Sequence, residues 1–122
     1  MQTIEVPGVR WTQELNAFNA IHDGWLVSLD VLDPQLGAQP QFHDLPLVGI
    51  TYEAEHAPAM TITAGRGFDF VTHVVPSPAR LWIERSEEGA DAALEIESGD
   101  GSRYLLRFRA AVLPETVDGL VR

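Results

Sequence analysis

The apolar residues change period near Gly24. Before it, Trp11, Leu15 and Phe18 recur at i, i+4 and i+7, with Ala17 and Ile21 broadening the same face. Gln13, Glu14, Asn16 and Asn19 fall largely between them. This spacing predicts one amphipathic helix over about 11–22. Asp23-Gly24 supplies its stop, because glycine accepts the left-handed conformation common just past a helix end. So short a helix is marginal alone and must lay its aromatic stripe on the rest of the fold. Replacing Trp11 or Phe18 with alanine should then cost about 3–5 kcal/mol.

From residue 25 to about 112 the pattern alternates as strands do. "WLVSLDVLD" puts Trp25, Val27, Leu29 and Val31 on one side and Ser28 and Asp30 on the other. "DPQLG" (Asp33 to Gly37) follows as a turn. "AQPQFHDLPLVG" contains Pro40 and Pro46, which cannot donate to a ladder, so it is expected to be an edge strand or an irregular crossing. "LVGITYEAE", "MTITAG", "FDFVTHVVP", "ARLWIER", "ALEIES" and "RYLLRFRAAV" complete the strands, and the short tail "LPETVDGLVR" is expected to make one helical turn. With no repeat, linker or shift in composition, residues 1–122 are expected to form a single domain.

Burial selects the register of the last hairpin. A two-residue Asp100-Gly101 loop would set Leu94 across from Arg107, mixing apolar and charged residues on one face. A three-residue loop, Gly99-Asp100-Gly101, pairs Ile96 with Tyr104, Leu94 with Leu106 and Glu97 with Arg103. The longer loop is therefore expected, with glycine at its left-handed position. Leu105 then opposes Leu106, as Trp82 opposes Leu81 and Val75 opposes Val74. Apolar residues on both faces call for cover on both. The expected fold is α+β: the N-terminal helix packed on a strongly curled, mostly antiparallel sheet or barrel of six to eight strands in meander order. One face would close on itself, and the helix would cover part of the other.

Composition narrows the function. The chain has no cysteine, which removes disulfides, thiolate catalysis and cysteine-based metal sites. Eighteen acids against eight bases give a net charge of -10, and every base is arginine. That balance opposes nonspecific binding to nucleic acid or anionic lipid. No run approaches the ~20 apolar residues of a membrane span. From the charge balance and the absence of such a run, no nucleic-acid or membrane partner is expected; the N-terminus shows no basic stretch followed by an apolar one, so the cytoplasm is the default location.

Candidate chemistry rests on four histidines, His22, His43, His56 and His73, none in metal-ligand spacing. His22 and His56 flank turn residues and are expected to be solvated. His43-Asp44 lies between two prolines in the least regular segment and could line a cleft. His73, flanked by valines, shares a strand face with Asp69, Val71 and Val75, and is expected to be a half-buried structural residue. No serine sits in a G-x-S-x-G elbow, and no Ser/His/Asp arrangement is suggested by position. Glu53/Glu55 and Glu95/Glu97 fall on exposed strand faces, with Arg103 and Arg107 as expected partners. The pocket candidates are His43, Asp69, His73 and Arg80; no catalytic set, cofactor or metal is expected.

Several stretches in order, "WTQELNAFNAIHDGWLVSLDVLD", "DLPLVGI", "VTHVV", "LWIE", "EGADAALEIES", "LLRFR" and "LPETVDG", resemble the small bacterial proteins grouped as DUF5335, a family of unknown function. The resemblance runs from about Trp11 to Gly119. It implies a stand-alone bacterial protein and carries over no activity, cofactor or catalytic residue. The leading expectation is a non-enzymatic binding or accessory domain that contacts a protein or small ligand, a homodimer being one form of such contact. The alternative is a small hydrolase or isomerase using His73 or His43 with a carboxylate.

Overall fold

The computed structural model describes residues 2–109. Strand β1 (Gln2–Glu5) and one 3₁₀ turn (Gly8–Arg10) precede helix α1 (Trp11–His22). Then come β2 (Leu26–Asp33), β3 (Gly37–Glu53), β4 (Ala59–Arg66), β5 (Asp69–Pro76), β6 (Pro78–Arg85), β7 (Asp91–Ser98) and β8 (Arg103–Arg109). The end of the last expected strand, 110–112, and the tail after it lie outside the described residues.

All pairings in the eight-stranded sheet are antiparallel, in the order β1-β6-β7-β8-β2-β3-β4-β5. Two meanders, β2 to β5 and β6 to β8, are thus joined by the β8–β2 pairing, in place of the single meander expected. The sheet curls until β5 approaches the other half: Ser98 Oγ donates to Pro76 O (2.6 Å) and the His73 ring lies 5.4 Å from that of Tyr104. No ladder joins the outer strands β1 and β5, so the fold is an open curled sheet, not a closed barrel. The last hairpin has the three-residue loop, with Ile96 opposite Tyr104, Leu94 opposite Leu106, and Gly101 at φ +93°.

The helix lies on the same face as the main core. Trp11, Leu15 and Phe18 join Val27, Leu29, Ile50, Ile62, Leu81, Leu94 and Leu106 in one buried cluster. The expected arrangement, with the helix on the other face, is therefore corrected. The outer face is covered instead by arginine side chains and their partners. Arg80 and Arg103 sit over the Trp82 ring, 4.8 and 5.1 Å from its centroid. Arg103 bonds Glu95 (2.6 Å), whereas Arg107 goes to Asp30 (3.0 Å) because β8 has β2 on its other side. Long guanidinium stems shield apolar surface while keeping their charge in water.

Along α1 the buried line continues to His22, while Ile21 is 66% exposed and Ala17 is exposed. At about 100° per residue, the position eleven after Trp11 returns to within about 20° of its direction, and the position ten after falls about 80° away. Geometry outranks polarity here. His22, expected to be solvated, is only 2% exposed. Its Nδ1–H donates to Phe18 O (2.9 Å), its ring stacks on Phe18 at 4.0 Å, and its Nε2 is 3.4 Å from Asp91 Oδ2.

Strand β3 runs unbroken through both prolines. Residues 37–46 pair with β2 and residues 49–53 with β4, so each half has one free side among the described residues, and Leu47 at the junction bonds Gly24 and Trp25 while pairing with Ala64. The free side of its second half is met by Asn19 of α1. Asn19 Nδ2 donates to Ile50 O (2.8 Å), and Ile50 N donates to Asn19 Oδ1 (2.9 Å), as a neighbouring strand would.

Candidate functional site

Two features offer chemistry or contact beyond the core: the irregularity in β3 at His43-Asp44, and the edge at β5, which has a strand on one side only among the described residues.

The irregularity is a bulge. Val27 pairs with Leu45 and Leu29 with Phe42, so His43 and Asp44 together face the single residue Ser28. Asp44 takes φ +53°, a left-handed conformation unusual for a non-glycine residue. Ser28 Oγ accepts the Asp44 N–H (2.9 Å) and lies 3.1 Å from His43 Nδ1. Asp44 accepts two bonds from Arg109, at 2.7 and 3.3 Å. Arg109 holds the Asp44 carboxyl below the usual carboxylate range, with His43 and Ser28 adding to the effect. These residues line an open groove of about 370 Å³ with Leu26, Arg107 and Phe108.

A serine, a histidine and an aspartate thus meet, although nothing in their positions suggested it. A readable signal was present in the phase of burial. Phe42 and Leu45 both pack on the core, and an odd interval between two inward residues requires one extra residue in the strand. The chemistry of the cluster is constrained. Ser28 is largely buried, and the bulge N–H that could have donated to a developing oxyanion is bonded to Ser28 Oγ itself. Among the described residues, no group of three or more His, Asp or Glu is placed to hold a metal ion.

The edge strand β5 is built by a tight hairpin. Arg66 pairs with Asp69, leaving Gly67-Phe68 as a two-residue loop with Gly67 at φ +59°, the glycine-first pattern of a type II′ turn. Gly65 is required by close approach, since a Cβ there would collide with Asp69 O. Facing inward, Val75 is fully buried and His73 half-buried; burial pushes the His73 imidazole below its usual range. Facing outward, Phe70 is 53% and Val74 52% exposed, and Phe68 at the tip is 102% exposed. The expectation that both faces of this strand are covered holds only for the second half of the inner face, since Val71 on that face is still 39% exposed.

The four pocket candidates are dispersed. His43 lines the bulge groove, and neither that groove nor the adjoining one it shares with Asp30 and Phe42 includes any of the others. Asp69 and His73 lie on β5, with Asp69 exposed at the strand's start. Arg80 lies on β6, clamped to Glu5 by bonds of 2.7 and 3.0 Å. No described helix is long and apolar enough to cross a membrane.

The family model for DUF5335, a family of unknown function, matches residues 2–116. An uncharacterized protein of Aquifex aeolicus (strain VF5) is 26% identical over 116 residues, covering 94% of this chain and all of that protein. No solved structure gives a significant match. The chain belongs to DUF5335.

Proposed function

We propose that this member of DUF5335 is a non-enzymatic binding domain that contacts protein through the open β5 edge. The contrast between the two edges carries the reading. β1 has four residues and ends in the Glu5–Arg80 ion pair, short and charged as guarded edges are. β5 has eight residues, and the stretch 67–76 carries Asp69 as its single acid and no arginine. An unguarded edge of this kind offers backbone donors and acceptors to an added strand, and Phe70 and Val74 offer it apolar contact. The test places a photo-crosslinking phenylalanine at Phe70 in the full chain, in cells of the source organism. A discrete protein adduct that disappears on adding Val74→Lys is expected. Adducts no different from those of the same group at exposed Ala17 would refute the proposal.

The 3.1 Å contact between Ser28 and His43 favours a second reading, the histidine/carboxylate hydrolase or isomerase. Its hydrolase form is tested with a panel of p-nitrophenyl esters. Turnover lost in both Ser28→Ala and His43→Ala supports it, and equal rates in wild type and variants end it.

A further inference from the structure

Resting on the β5 reading above, we infer that the strand added to β5 is β5 of a second copy, antiparallel and centred on Thr72. Two copies related by a two-fold axis through Thr72 continue the sheet, each Thr72 facing its counterpart. In that register residue 70 meets 74, 71 meets 73 and 69 meets 75. Phe70 therefore lies across from Val74 on the outer face, at both ends of the symmetric ladder. Thr72 and its β4 neighbour Thr63 are on that same outer face, so the apolar pairs flank a threonine centre without a buried charge. A shift of two residues would lose this match, bringing Phe70 opposite Thr72.

Charge favours this edge for self-association. Each copy carries a net charge of -10, so most faces would repel a second copy. On β5 the one acid is Asp69, three residues from the centre. The two Asp69 carboxylates would then be separated by six strand residues, about 20 Å. That is roughly twice the screening length of ~8–10 Å near physiological salt. Each Asp69 instead faces Val75 of the second copy, which is inward and apolar. Pairing through a single eight-residue strand is a small interface, so association in the micromolar range is expected. Because like-charged bodies are brought together, added salt should strengthen it.

Sedimentation equilibrium on the purified full chain, over micromolar to millimolar concentration, tests the proposal. Wild type is expected to form a dimer of the 13.4 kDa chain, tightening as salt is raised. Thr72→Lys and Thr72→Glu, both exposed substitutions, each place two like charges across the axis and should weaken the dimer roughly tenfold. Mixing the two variants should restore association, because only the centred register sets residue 72 against itself. Circular dichroism and thermal melts confirm that both variants fold. Wild type remaining monomeric throughout overturns the inference, as does a dimer indifferent to both substitutions or a mixture no tighter than either variant alone. Protection of β5 amides in a monomer, independent of concentration, also overturns it by showing that the chain's own remaining segment takes the edge. A Phe70 adduct to a different protein, with no self-association, sinks the self-pairing and leaves the binding-domain proposal standing.

Discussion

Asn19→Ala offers the most direct measure of what docks the helix. Asn19 makes a reciprocal pair of hydrogen bonds with the backbone of Ile50, a fully buried residue on β3. Alanine leaves the Ile50 N–H and C=O without partners on the side where β3 has no strand. An orphaned buried group costs about 1–3 kcal/mol, so the two together would cost ~2–6. Two effects reduce this. Asn19 is part-exposed, so water reaches some of the vacated space, and alanine improves helix propensity by roughly 0.7 kcal/mol. The expected net loss is about 2–4 kcal/mol, a large part of a typical total of ~5–15. For a domain of this size the melting temperature should fall on the order of 10 °C. Urea unfolding followed by tryptophan fluorescence is the assay, Trp11 reporting from the helix itself. The midpoint should drop with the slope unchanged. Asn16→Ala, on the exposed side of the same helix, is the control: it should cost no stability and gain the same ~0.7 kcal/mol of helix propensity. If Asn19→Ala likewise costs nothing, the apolar stripe alone holds the helix and the clamp argument is wrong.

Other perturbations separate backbone, bulge and titration effects. Gly65→Ala should destabilise by more than ~3 kcal/mol, because its φ of +151° and the nearby Asp69 O leave a side chain no room; calorimetry would show a collapsed transition, and a near-normal one would contradict the collision. Ser28→Ala removes the acceptor for the Asp44 N–H and should cost about 1–2 kcal/mol in urea melts, with amide exchange at Asp44 accelerated. His73 has its pKa lowered in the folded state, so the unfolded chain binds the proton more readily. Its contribution is therefore complete above the ordinary histidine range and is lost as pH falls through and below it. His73→Gln should flatten the fall in stability between about pH 7.5 and 5.5, and an unchanged slope would remove His73 from the acid response.

Much of the fold was legible because local rules were consistent with one another. The bounds of α1 followed from periodicity and Gly24, and the register of the β7–β8 hairpin followed from matching Leu94 with Leu106 and Ile96 with Tyr104. The candidate site was less legible. His43 and Asp44 drew notice for their irregular setting between prolines, but Ser28 reaches them only through the β2–β3 pairing. Glu5 and Arg80 are seventy-five residues apart and meet because β1 adds to β6. A strand at residues 2–5 has too little alternation to announce itself; the edge of β6 stabilises it. The histidines show the limit most plainly. His73 has an apolar neighbourhood in sequence and is half exposed to solvent, whereas His22 adjoins a turn and is buried under aromatic rings.

The sequence by itself determined the α+β class, one helix and its stop, the period of the strands, and the acidic, cysteine-free surface chemistry. Each is a property of residues within a turn or a strand of one another, where sterics and burial act locally. Only the tertiary structure decided that β8 lies beside β2, that the helix shares the concave core, and that arginines close over Trp82 on the other face. It also decided that, among the described residues, β5 remains an open edge. Those outcomes depend on which strands, tens of residues apart, become neighbours, and alternation marks a strand's faces without naming the strand on either side.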